Sequence, residues 1–412
     1  MWISGLPARN LPPLILFVLL LPAAGGAEEF RYIHRAGDSY RILSVVNEDV
    51  YLDRRLSHRA EILNRVAVTV LGEEGGTGRH EALFQTSERA VRTDGGEAFF
   101  QWEREYESVF ERDSLGRLTI DDRYFMPVVR NVPVFPGGNL EPGDTWRAEG
   151  SEAHDFRDAF GIAEPYRIFF TANYTYLGDR AWGGREYPAF SVSYRIDDSP
   201  PAVRGRLWPR RIIGACDQIL YWDRDLGQSR AYEETFRMIF ELSDGLGGGG
   251  TRVEYRGTAY AEILESPRMD KDRVAGDIKR DLEALDLGDT GVRVDAEGVT
   301  ISLEAIRFEA DSARLLPSEQ AKLDRIGEIL ARYGDRDILV AGHTALAGSA
   351  EGRRELSVQR AAAVASYLIG AGVRTGERVV VRGYGAERPV ADNATAEGRE
   401  RNRRVEITIL EN

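Results

Sequence analysis

The residues best placed for chemistry lie near the end of this 412-residue chain. They read Gly342-His343-Thr344, Leu356-Ser357 with Arg360-Ala361, Gly383-Tyr384-Gly385, Gly398-Arg399 and Asn402-Arg403-Arg404-Val405. A guanidinium grips a carboxylate through two parallel N–H donors, so recognition of an acid is the chemistry this set offers. Other candidates fail their own structural conditions. Gly245, Gly247 and Gly250 satisfy G-x-G-x-x-G, but the strand-like run Thr251-Arg252-Val253-Glu254-Tyr255 follows, whereas a dinucleotide fingerprint opens a helix. A hairpin loop is expected there. Glu152, His154, Asp155 and Asp158 are ligand types without a recognised metal spacing, so neither metal nor cofactor is expected. With five histidines, one cysteine and no nucleophile motif, the chain shows no catalytic constellation and reads as non-enzymatic.

In this order and at these spacings, the C-terminal set resembles the peptidoglycan-binding domain of OmpA-like proteins. The resemblance extends over roughly residues 298–410. It implies a pocket built from the loop after the second strand and the start of the second helix, which holds the stem peptide of peptidoglycan. The family's clamp is an aspartate directly after Gly-His-Thr and an arginine in Leu-Ser-x-x-Arg-Ala, together gripping the free end of diaminopimelate. The resemblance assigns the arginine to Arg360, with free N–H groups at the helix N-terminus as further donors to the same acid. The aspartate's place is taken by Ala345, and an asparagine often found three residues before Leu-Ser is Arg353. One lost charge-assisted bond costs about 1.5–3 kcal/mol, roughly 10- to 150-fold in affinity. Association is therefore expected to be weak, or the ligand to present only an acid; Glu351 and Glu355 are the carboxylates that could replace the missing acceptor. His343 is open to two readings, a pocket donor or a loop residue fixed by hydrogen bonding. Thr344, Arg353 and Arg403 join Arg360 as ligand candidates, while Arg404 alternates with Val405 into a strand, and Asp311-Ser312 resembles the family's acidic turn.

The elements that must position these residues emerge from charge and periodicity. The net charge is −13. From Glu297 onward 18 acidic and 17 basic residues leave −1, so the preceding 296 residues carry −12, a field that repels nucleic acid. Only three lysines accompany 51 arginines, which we read as codon bias. Residues 1–27 read as a signal peptide, with Arg9, an apolar run at 11–21 and Gly25-Gly26-Ala27 before cleavage. The run is shorter than the ~20 residues of a membrane span, so no transmembrane helix is expected. Cys216, in an apolar context, reads as a small buried hydrophobe.

Residues 62–71, 98–106, 166–177, 187–196, 231–242 and 252–263 alternate as half-buried strands of an antiparallel sandwich or curved sheet. Pro127, Pro133, Pro136 and Pro142 mark a connector that divides this region near residue 150. Arg104 in the row of Ala98, Phe100, Trp102 and Tyr106, and Glu234 in the row of Tyr232, Phe236 and Met238, argue against lipid-facing strands. Val274, Ile278, Leu282 and Leu285 form a helical stripe that Gly288 ends. The remainder reads strand, helix, strand, helix, strand, strand, an α/β layer with helices on one face of a mixed sheet. The expected organisation is a signal peptide at 1–27, β-rich domains at 28–150 and 151–265, a helical linker at 266–290 and an OmpA-like domain at 291–412. This wider arrangement resembles the multi-domain OmpA-like envelope proteins of spirochaetes. The resemblance implies an exported envelope protein in the periplasm, at peptidoglycan or the inner side of the outer membrane. The alternatives are a scaffold for other envelope proteins that has lost wall binding, and an outer-membrane β-barrel tether.

Overall fold

The structure, a computed structural model, describes residues 27–90, 100–201, 207–243, 250–265, 269–287, 290–295, 297–304, 306–309 and 312–411. The expected signal segment up to residue 26, and Ala98, Gly245, Gly247, Gly288 and Asp311, lie outside the described residues.

Long strands dominate up to residue 265. In chain order they are β1 (Glu28–Glu29), β2 (Ser39–Leu52), β3 (Arg55–Glu74), β4 (Thr77–Ala90), β5 (Phe100–Arg112), β6 (Leu118–Ile120), β7 (Val129–Arg130), β8 (Asn139–Leu140) and β9 (Thr145–His154). After a short helix, α1 (Arg157–Phe160), come β10 (Tyr166–Trp182), β11 (Arg185–Asp198), β12 (Trp208–Asp223), β13 (Gln228–Ser243) and β14 (Thr251–Glu265). Sequence neighbours pair antiparallel from β2 to β6 and from β9 to β14. β14 then pairs with β2, Ala261 opposite Ser44, which joins both runs in one sheet. Residue 150 lies inside β9, so the halves expected on either side of it share a ladder. The prolines interrupt hydrogen bonding locally, because they lack an amide donor, yet the connector folds back along the strands.

That return closes the sheet into a barrel. β7 pairs with β9, and Ser108 Oγ of β5 donates to the Met126 carbonyl at 2.7 Å. Arg104 and Tyr106 of β5 reach Asp155, just beyond β9, at 3.2 and 2.8 Å. Along β10, Ile168, Phe170, Ala172, Tyr174 and Tyr176 are buried, while Phe169, Thr171 and Asn173 are exposed. This alternation fills the interior with apolar and aromatic side chains. Outside stand the ion pairs Arg195–Asp217 and Arg211–Asp197.

β5 carries an extra residue. Trp102 lies opposite Ser87 but Arg104 opposite Thr86, so Glu103 has no counterpart on β4. The bulge swaps the faces: Trp102 points out of the barrel and Arg104 points in, toward Asp155. The uniform row expected from Phe100 to Tyr106 is therefore broken. Glu234 also faces inward, where burial and the neighbouring Glu152 push its carboxyl up to about 7.

The rest of the chain forms α2 (Lys271–Ala284), β15 (Thr290–Val294), β16 (Gly298–Glu304), α3 (Pro317–Ala331), β17 (Ile338–Gly342), α4 (Ala350–Gly370), β18 (Val379–Gly383), α5 (Ala396–Asn402) and β19 (Arg404–Leu410). The strand order is β15-β16-β19-β17-β18, antiparallel except for β17 with β18. Asp270 caps α2 by accepting from the Arg273 amide at 3.0 Å. Val274, Ile278 and Leu282 of this helix bury in the same core as Leu323, Ile326 and Leu330 of α3 and Val364 and Leu368 of α4. The stripe expected to be a linker thus belongs to the C-terminal core. No described helix is long and apolar enough to cross a membrane.

The other face of this sheet sits on the barrel. Leu339, Val380 and Leu410 pack against Leu63, Phe100 and Trp102, and β18 pairs in parallel with β5 through Val380 and Phe100. Within the seam Arg65, 2% exposed, meets Asp337 at 2.6 Å, and Arg378 meets the other oxygen at 2.8 Å. Asp337→Ala should cost about 3–5 kcal/mol, because it leaves the Arg65 charge buried without its acid. Urea unfolding checks this, and the apolar double variant Arg65→Met with Asp337→Leu should recover much of the loss.

Candidate functional site

β17 ends at Gly342, where α4 crosses the strand tips. A Cβ on Gly342 would stand 2.0 Å from the Ser357 carbonyl oxygen, and one on Gly383 would stand 2.5 Å from Ser357 Oγ. Only glycine lets the helix lie this close. Ser357 Oγ accepts from the Gly385 amide at 2.9 Å and donates to the Arg354 carbonyl at 2.7 Å. Gly398 repeats the pattern, since its Cβ would meet the Asp392 carbonyl oxygen at 2.0 Å. Most of the glycine and serine spacing in the motif is thus a packing requirement.

His343 is 1% exposed, stacks on Tyr384 at 5.1 Å and brings Nε2 within 3.4 Å of Glu406 Oε2. The other Glu406 oxygen receives Arg404 Nε at 2.8 Å. Neither ring nitrogen of His343 is hydrogen-bonded among the described residues, so burial and stacking, not a side-chain hydrogen bond, hold the ring at the end of β17. Thr344, also buried, donates its amide to the Gly385 carbonyl at 2.8 Å. The loop beyond is pinned at Leu346, whose amide donates to Asn393 Oδ1 at 3.0 Å, and Asn402 Nδ2 holds that same oxygen at 3.0 Å. Arg399 closes the neighbouring turn by donating to the carbonyls of Asn393 and Ala394. Ala345 is 6% exposed, so a methyl group fills the place of the family's aspartate.

Ser349 caps α4 by accepting from the Gly352 amide at 3.1 Å, and Arg353 Nη1 donates back to the Gly348 carbonyl at 2.5 Å. Arg353 is therefore tied to its own loop. Arg360 stands ten residues into α4, about 15 Å along the axis from its start. This corrects the expectation that Arg360 and the free N–H groups of the helix end share one carboxylate. Instead the half-buried guanidinium lies 5.0 Å from the centre of the Phe308 ring, and Nε donates to the Ser312 carbonyl at 3.3 Å. Phe308 escaped sequence reasoning. It bridges to Leu315, seven residues on, and its ring meets Arg360 of α4, a tertiary contact that local pattern does not announce. Arg403 is exposed at the C-cap of α5, and no described contact joins it to Arg360.

The acidic candidates in the barrel are engaged elsewhere. Glu152 accepts from the Tyr194 hydroxyl at 2.8 Å and pairs with His154 Nε2 at 2.8 Å, while Asp155 is held by Arg104, Tyr106 and Arg157.

A mixed sheet covered on one face by helices, with an arginine midway along α4 set against Phe308, defines a small α/β domain. Residues 307–403 match the OmpA family model, so this part of the chain is an OmpA family domain. Over 104 residues the chain is 40% identical to the peptidoglycan-binding protein ArfA of Mycobacterium tuberculosis, covering 25% of this chain and 32% of the relative. Over 123 residues it is 39% identical to the probable lipoprotein YiaD of Escherichia coli, covering 29% and 56%. The solved structure of the peptidoglycan-associated lipoprotein from Burkholderia pseudomallei matches at 29% identity over 26% of this chain and 87% of that one, with a TM-score of 0.24. The chain thus spans a third to just over half the length of these curated relatives, 32% and 56%.

Burial lowers the His343 pKa, and Glu406 is held below the ordinary carboxylate range because His343 and Arg404 outweigh its burial. Both groups resist protonation when folded, so their contribution is complete above about pH 6.5 and is lost as the pH falls. Compared with a His343→Gln variant, the wild type should lose stability as the pH falls below about 6.5. Denaturation midpoints of the two proteins at each pH check the sign.

Proposed function

We propose that this chain is an exported, non-enzymatic envelope protein whose OmpA family domain associates with peptidoglycan, in the periplasm at the wall or the inner side of the outer membrane. The family match and a relative named for peptidoglycan binding support the reading. The observation that carries it is Arg360, half-buried against Phe308 beside the 308–315 turn. A guanidinium set over a ring and tied by its Nε to the Ser312 carbonyl is oriented before it meets a carboxylate, and loses little freedom on binding. The buried methyl of Ala345 offers no acceptor to an ammonium group, so association is weakened relative to a domain that carries the aspartate. Arg403, on the exposed surface, adds general attraction for acidic groups rather than a defined contact. We assign residues 28–265 to one β-rich unit and the C-terminal unit to the span that begins with α2.

The scaffold reading rests on Ala345 and predicts partners among other envelope proteins. The barrel tether is disfavoured by the distribution of charge. Arg195, Asp217, Arg211 and Asp197 face outward while apolar rows fill the interior, the reverse of a lipid-embedded barrel.

Co-sedimentation with purified sacculi tests the proposal. The intact chain should be retained, Arg360→Ala should lower retention about tenfold or more, and Ala345→Asp should raise it by a similar factor. An intact chain that stays wholly in solution would refute wall association and leave the scaffold.

A further inference from the structure

The barrel holds an unassigned cavity whose chemistry is of two kinds. Its inner chamber, about 360 Å³, combines an apolar side, with Ile42, Val66, Phe84 and Leu220, and a polar side that includes Asn64 and Gln85. An outer chamber of about 520 Å³ opens between exposed Arg35, Gly37 and Asp38, and its floor is the buried Val70 and His80. Both volumes fall in the range of small-molecule sites, roughly 300–1,000 Å³. Tyr32, Tyr40, Arg112 and Gln228 line both chambers, so Arg112 stands where they meet.

Two groups at this junction lack the partners their chemistry calls for. Arg112 lies over the rings of Tyr32 and Phe110, at 4.9 and 5.8 Å to the ring centres, and its Nε has no hydrogen-bond partner among the described residues. These rings orient the cation but supply no anion. His80, 2% exposed, has neither ring nitrogen hydrogen-bonded among the described residues, and its ring lies 5.0 Å from that of His34. Buried polar atoms are satisfied in the great majority of cases, by protein, water or ligand. Asp38 on the rim is already 3.9 Å from Arg35.

We propose that the barrel binds an amphiphile with a single anionic head and an apolar chain, the head on Arg112 and His80 and the chain in the inner chamber. Arg112 supplies paired N–H donors to the head, and neutral His80 adds one more. At the far end Gln218 Nε2 donates to Glu234 Oε2 at 3.2 Å, while Gln218 Oε1 lacks a partner among the described residues, so the tail end of the chamber can also accommodate a hydroxyl. This inference concerns the β-rich unit and is independent of wall association.

Titration calorimetry of the delipidated full chain with dodecanoate, dodecyl phosphate and uncharged dodecanol tests it. One of the two anions should bind saturably with one site per chain, at least about tenfold tighter than dodecanol, and the tighter one names the head group. Arg112→Gln should reduce the anion to the affinity of the alcohol without changing alcohol binding, and Arg112→Lys should fall between. Absence of saturable binding by the intact chain, equal affinity for anion and alcohol, or an unchanged anion affinity in a folded Arg112→Gln would overturn the proposal. If Arg112→Gln does not fold, the anion–alcohol comparison in the intact chain decides alone.

Discussion

A single inserted residue in β5 governs how the two units meet. Before the bulge, Phe100 and Trp102 turn outward and join Leu63 in the apolar seat for the C-terminal sheet. Beyond it, Arg104 and Tyr106 turn inward and reach Asp155, which draws β5 toward the end of β9. A strand of strict period two would send all four side chains to one face. It could then close the barrel or seat the neighbouring domain, but not both. The buried Arg65–Asp337 pair completes the seat from β3, and Arg378 shares the same carboxylate.

How much of this was legible in the sequence depended on the range of the interactions involved. Local periodicity located the strands, and the apolar stripes of α2, α3 and α4 are the ones that bury. It did not show where α2 packs, because a stripe states that one face is covered and not by what. The bulge at Glu103 was invisible for a similar reason: its cause is the register with β4, and the run from Phe100 to Tyr106 read alone shows a charge at Arg104 but not an extra residue. Glu234 keeps the place in the row of Tyr232 that alternation gives it, and the cavity that this row lines is what sequence does not show.

The candidate site divides in the same way. Gly342, Gly383, Gly385, Gly398 and Ser357 carry much of the resemblance, and each is accounted for by backbone approach or by a hydrogen bond that fixes α4 against the strand tips. A motif of this kind reports a way of packing more directly than it reports a ligand. His343 and Arg404 belong with this group through Glu406. Arg360 stands apart, because Phe308 and Ser312, which it meets, lie away from the strand tips that the glycines pack. Ala345 is the position at which scaffold and ligand chemistry separate: the loop keeps its hydrogen bonds with a methyl group there, so the fold does not require a carboxylate at this place.

The seam between the units has a mechanical meaning. Because β18 runs alongside β5 and the Arg65–Asp337–Arg378 cluster is buried between them, tension applied to the C-terminal domain enters the barrel wall across its side. A domain hung on a flexible tether would move independently of its neighbour, whereas this one is joined to the barrel wall by paired strands and a buried ion-pair cluster.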